Sequence, residues 1–210
     1  MKRLAIIGAG ELGKQIFELS ENDPEITVAG FFDDIIPINT VIISNQKVIG
    51  TTKDILPFYN SNLFDFLMIG IGYRYIQKRK FFFDKFSPTI AFARIIHSSC
   101  IIHTSAIIGA GVAIYPGCII DKNVVIGNNV LLNLGSVVAH DSVIGAHSFI
   151  APRVTFSGFV KLDELNFVGT GSILIDNISV ASNCTLGAGT VVIKDINNQG
   201  VYVGNPAKKI

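Results

Sequence analysis

The chain has 210 residues, 49% of them hydrophobic and 16% charged, so it is too apolar for disorder and long enough for one large or two small domains. Lys+Arg 17 against Asp+Glu 16 leaves a formal charge of +1, which offers no electrostatic footprint for nucleic acid or an anionic membrane. No apolar run approaches the roughly 20 residues of a membrane span, and three cysteines make no disulfide framework, so a soluble cytoplasmic protein is expected.

The first element is a short apolar run, Arg3 to Ile7, leading into Gly8-Ala9-Gly10-Glu11-Leu12-Gly13 and an amphipathic stretch through Leu19. This predicts strand, glycine turn and helix, whose free N–H groups and dipole suit an anion such as a diphosphate. A second strand over residues 26–32 ends in Asp33-Asp34, about twenty residues past the glycines, where a carboxylate can hydrogen-bond a ribose or a base edge. The blander alternative is that the glycines only let strand and helix pack and the aspartates cap a turn. A third strand over 65–72 runs into a basic stretch holding Arg74, Lys78, Arg79 and Lys80, and Phe81, Phe82 and Phe83 read as core. Three β-α units fit the first 90 or so residues, half of a full dinucleotide fold, which favours a mononucleotide over NAD.

From Ile96 a repeat of six takes over. Every sixth residue through Ile102, Ile108, Ile114 and on to Leu186 and Val192 is large and apolar, with no insertion. The fourth residue after each is mostly small or β-branched, and includes Cys100, Cys118 and Cys184; Asn166 is the bulky polar exception. Turn formers such as Gly109-Ala110-Gly111 and Gly127-Asn128-Asn129 lie between. Three strand-and-corner units close a triangular coil of about 18 residues, and coils stacked at roughly 4.8 Å place the large residues inside a prism. This is a parallel β-helix, and the inward cysteines are expected to be inert space-fillers rather than nucleophiles.

The large-Gly-x-x-small-x hexad and the tail Gly204-Asn205-Pro206-Ala207-Lys208 resemble the hexapeptide acyltransferases. Over nearly its whole length the chain resembles the sugar acyltransferases typified by NeuD and by the enzymes that N-acetylate UDP-linked 4-amino-sugars. The resemblance implies a Rossmann-like nucleotide-sugar-binding domain over 1–90, a left-handed β-helix acyltransferase domain with its tail over 95–210, and a homotrimer with sites between adjacent β-helices. It further implies acetyl-CoA as donor, a nucleotide-linked amino sugar as acceptor, and no metal. A sialic acid O-acetyltransferase and a silent nucleotide-binding trimeric scaffold are the alternatives.

The match is sharpest at Asn133 to Gly145, where the family carries a His followed by an acidic residue, usually Glu; here these are His140 and Asp141. An amine or hydroxyl attacking a thioester must lose a proton, which a group titrating near neutrality accepts best. His140 is therefore the candidate general base, with Asp141 to hold its tautomer. His97 and His103 read as turn caps. By resemblance, the CoA contacts fall on Phe149, Thr170 and Ala188. His147 either replaces a CoA-contacting His found two residues later in the family or is an exposed corner residue. Gly158 is the candidate oxyanion donor. The acceptor contacts align with the turn at Gly8, Gly10, Glu11 and Leu12, with Asp33 and Asp34, and with Gly72; the turn departs from the family's Ser-Gly-His.

Overall fold

The computed structural model describes residues 1–210, which form two compact units, Met1–Ile95 and Ile96–Ile210. The first is built on a five-stranded sheet of β1 (Lys2–Ile7), β2 (Ile26–Phe32), β3 (Val41–Ile43), β4 (Gln46–Gly50) and β5 (Phe66–Ile69), ordered β3-β4-β2-β1-β5. All neighbours are parallel except the β3–β4 pair. Leu4 to Ile7 are wholly buried, as a continuous apolar run in a central parallel strand should be. Three helices, α1 (Glu11–Ser20), α2 (Ile55–Asn60) and α3 (Ile76–Phe86), accompany the sheet, and Ile16, Phe17 and Leu19 form the buried side of α1. The approach of α1 to the turn demands glycine: a Cβ at Gly13 would lie 2.1 Å from the carbonyl oxygen of Gly8.

Several details depart from the sequence reading. The expected strand over 65–72 is shorter, because Gly70 turns the chain past Gly13; a Cβ on Gly70 would be 2.6 Å from the Gly13 Cα. The β3–β4 hairpin was not anticipated: its Ser44-Asn45 corner has both residues at positive φ, the geometry of a tight hairpin turn without the Asn-Gly signature. Arg79 does not belong to an exposed basic stretch. It is buried, and its Nη1 donates to the carbonyls of Ile69, the last residue of β5, and of Ile71 beyond it. Phe82 and Phe83 are core, whereas Phe81, on the outer side of α3, is 57% exposed.

The second unit is a parallel β-helix, built mostly of two-residue strands, in three sheets. Strand pairs such as Ile119↔Val137 and Val125↔Val143 are one coil apart, the same 18-residue interval that separates Asn123 from its partner Asp141. From Ile114 to Val192 the large inward column is buried, and the first coil is looser, with Ile96 exposed and Ile102 and Ile108 only partly covered. Cys118 and Cys184 are buried as expected; Cys100, in that looser first coil, is only half-buried. Inward serines solve their own polarity by donating to the next coil's carbonyls, as Ser142 Oγ does to Ser157 O at 2.9 Å and Ser172 Oγ to Gly187 O at 2.9 Å. Cys118 Sγ makes the equivalent contact to Asn133 O at 3.2 Å. Asn166 fits the prism because both ends of its amide are used: Nδ2 donates to Asp163 O and Oδ1 accepts from Cys184 N, each at 2.7 Å. The last coil is shortened, so that Leu186 pairs with Tyr202, and the strand Gly200–Val203 is then paired antiparallel by Lys208–Lys209.

Candidate active site

His140 and Asp141 form the corner between strands Val137–Val138 and Val143–Ile144. Asp141 sits at φ 59°, a left-handed conformation that Asp tolerates better than most residues, and this turns its carboxylate back onto its neighbour. His140 Nδ1 lies 2.9 Å from Asp141 Oδ2, so the shorter Asp does reach the imidazole. One coil below, Asn123 Nδ2 donates to Asp141 Oδ1 at 3.0 Å. These two contacts, the Asn123 amide foremost, hold the Asp141 carboxyl below its usual range. An ionised carboxylate only accepts, so Nδ1 carries the hydrogen, and in the neutral imidazole Nε2 presents a lone pair. Nε2 has no partner in the chain, and the His140 side chain is 40% exposed.

One coil above lies Gly158. A Cβ there would meet His140 Cε1 at 2.6 Å and Nε2 at 2.8 Å, so only glycine leaves room for the imidazole. The Gly158 N–H donates to no group of the chain. Ser142 fixes that upper corner, accepting from Val160 N at 3.1 Å while donating to Ser157 O. His140, Asp141 and Gly158 thus converge.

The expected CoA contacts do not join them. Thr170 and Ala188 are exposed and stacked on adjacent coils, tied by Gly189 N donating to Thr170 O at 2.8 Å. Phe149 is buried, its ring 6.1 Å from that of Phe167. His147 is not an exposed corner residue: it is 4% exposed, and its Nδ1 lies 3.1 Å from Asn129 Nδ2. His97 and His103 do cap turns, each accepting at Nδ1 from a backbone N–H two residues on, Ser99 and Ser105.

The amino-terminal unit carries a cleft of about 460 Å³ that gathers the acceptor candidates: Gly8, Gly10, Glu11, Leu12, Asp33, Asp34 and Gly72 all line it. Gly8 turns at φ 99°, whereas Gly10 and Gly72 face open space where a ligand could approach the backbone. The first-turn N–H groups of α1 follow Gly10 directly, and no side chain caps them. Asp33 is largely occupied with the turn itself: Oδ2 accepts from Ala9 N at 2.9 Å and Oδ1 from Ile35 N and Ile36 N. Partial burial would raise its pKa, but those N–H groups and the Lys78 charge outweigh it and keep the carboxyl low. Asp34 is bound by the N–H and hydroxyl of Thr52. The turn-capping alternative therefore describes Asp33 well, although it still lines the cleft. Thr52 and Tyr75 also line the wall and carried no local sequence signal; Phe82 was read only as core, and Lys78 was visible only as one of a basic run. Nowhere do three His, Cys, Asp or Glu side chains cluster as metal ligands would.

A parallel β-helix with a carboxylate-bound histidine at one corner, preceded by a parallel α/β unit with a glycine turn, defines a hexapeptide-repeat transferase architecture. Residues 3–86 match the family model of the PglD N-terminal domain. The acetyltransferase domain of PglB from Neisseria gonorrhoeae FA1090, solved also in complex with acetyl coenzyme A, is 28% identical with a TM-score of 0.92 over 100% of both chains. PerB from Caulobacter crescentus, solved in complex with CoA and GDP-perosamine, is 27% identical with a TM-score of 0.89, over 100% of this chain and 98% of that one. Among curated sequences, the UDP-3-O-acylglucosamine N-acyltransferase of Bordetella pertussis is 34% identical over 68 residues, and serine acetyltransferase 3 of Arabidopsis thaliana is 30% identical over 80. The matched part spans only 19% and 20% of those proteins, and 32% and 34% of this chain. Residues 3–86 therefore carry the PglD N-terminal domain, and over its whole length the chain is similar to the PglB acetyltransferase domain and to PerB.

Proposed function

We propose that the protein is an acetyl-CoA-dependent N-acetyltransferase that acts on the amino group of a nucleotide-linked amino sugar by direct transfer, with His140 as general base. The observation that carries this is the His140–Asp141 contact of 2.9 Å, which leaves Nε2 unpartnered and beside a glycine. The acceptor nitrogen attacks the thioester carbonyl and forms the C–N bond while Nε2 takes its proton. The oxyanion that develops meets the unengaged N–H of Gly158. Collapse breaks the C–S bond, and the imidazolium returns the proton to the departing CoA thiolate.

In this reading CoA runs along the coils past Thr170 and Ala188, with Phe149 and His147 behind it as buried support. The nucleotide occupies the amino-terminal cleft of a Rossmann-like domain, its phosphates at Gly10 and the start of α1, and the β-helix winds left-handed. A homotrimer is part of the proposal. The two sheets that meet at the His140 corner carry exposed Ile101 and Ile119 on one side and Ile107 and Val143 on the other, an apolar border suited to a second copy. The complexes of PglB and PerB support the donor and the acceptor class.

The test is release of free thiol from acetyl-CoA in the presence of a panel of nucleotide-linked 4-amino-sugars. His140→Ala is expected to lower turnover by roughly a hundredfold or more. Turnover with sialic acid alone would replace N- by O-acetylation, and nucleotide binding without any turnover would leave a scaffold.

A further inference from the structure

Corner residues Asn123, Asp141, Phe159 and Asn177 lie one above another on successive coils, all left-handed at φ 58°, 59°, 59° and 59°. Three are Asn or Asp, which enter that region readily; for an aromatic residue it is a rare and costly conformation. Core packing does not repay the cost, since Phe159 is 50% exposed. What the ring does touch is His140, with centroids 5.2 Å apart and planes at 87°. The Phe159 N–H donates to the carbonyl of His140 at 3.1 Å, so the two residues are locked coil to coil.

We infer that Phe159 is a positioning residue for His140, holding the imidazole plane and shielding one flank of Nε2 from water. The single hydrogen bond from Nδ1 to Asp141 leaves the ring free to pivot about that contact. Gly158 lies against the imidazole but offers no side chain to hold its plane. A perpendicular aromatic ring is the group that blocks the pivot; His147, Arg153 and Leu165 share the left-handed corner conformation, so it is the ring contact with His140 that sets Phe159 apart. The inference rests on His140 as the base.

The experiment compares wild type, Phe159→Asn and Phe159→Tyr in kcat, KM for both substrates, melting temperature, and order of the His140 Cε1–H bond by NMR relaxation. Phe159→Asn, matching its neighbours in the column, should lose about tenfold in kcat with KM nearly unchanged, melt no lower than wild type, and show a disordered imidazole. Phe159→Tyr should keep the ring ordered and kcat within about twofold of wild type. An unchanged kcat and an ordered imidazole in Phe159→Asn would overturn the inference, as would a lowered melting temperature, which would make Phe159 a structural residue. His140→Ala, measured alongside, separates the two claims. If it retains turnover, His140 is not the base, and the imidazole order in Phe159→Asn still decides whether Phe159 positions it.

Discussion

Gly158 and Asp141 show how few atoms set the chemistry of the corner. Gly158→Ala would add a methyl 2.6 Å from His140 Cε1, and the imidazole, as the more mobile partner, must swing away. Turnover should fall by about ten- to a hundredfold while the melting temperature stays within a few degrees of wild type; kcat and calorimetry on one preparation check both. The His140–Asp141 pair was legible in the sequence because it is a dipeptide whose two side chains meet locally. Asn123 and Phe159 were not, since each reaches the site from 18 residues away, and that adjacency exists only once the coil has closed. The period was already visible, so stepping 18 residues back and forward from Asp141 would have found them. The burial of His147 and Phe149 could not be read from their corner and strand positions, which the hexad alone assigns to the outside.

At the scale of the element, the solenoid was almost wholly legible because each inward position repeats a single steric demand, and the sequence states it at every sixth residue. The amino-terminal sheet was legible only where apolar runs are long, at β1, β2 and β5. The β3–β4 hairpin and α2 are held by tertiary contacts rather than by pattern: Val48 and Ile55 are fully buried within segments whose sequence carries no clear periodicity. Glycines gave the rest. Gly13→Ala should be the most damaging single methyl in this unit, because its contact is with backbone that cannot rotate away. A loss of about 1–3 kcal/mol is expected, read as a lowered urea midpoint for the sheet's unfolding. Asp33→Asn keeps the shape of the turn but exchanges one acceptor oxygen for a donor facing the Ala9 N–H or those of Ile35 and Ile36. That change should cost about 1 kcal/mol and weaken nucleotide binding in the same calorimetric cell.

At the scale of the molecule, pH and self-association are the accessible handles. Arg3 grips Asp65 through its side chain and its N–H and pulls the carboxyl down to about 2. Because the folded value lies below the unfolded one, the contribution is complete above roughly pH 4 and disappears as pH falls through about 2. An NMR titration of the Asp65 carboxyl should show that midpoint, and Arg3→Met should return it towards the ordinary carboxylate range. If the proposed trimer forms, Ile101→Lys with Ile119→Lys should reduce the sedimentation coefficient to that of a single copy and abolish turnover, with each chain still folded.

The antiparallel strand Lys208–Lys209 on Gly200–Val203 has a consequence for solubility. A stack of identical parallel rungs is a template for its own extension, and an unfinished rung invites another molecule to continue the ladder into a filament. Reversing chain polarity on that face, with two cationic side chains on the final rung, breaks the template. Removing residues 205–210 should leave the coils below intact and yield end-to-end polymers, visible by light scattering and electron microscopy.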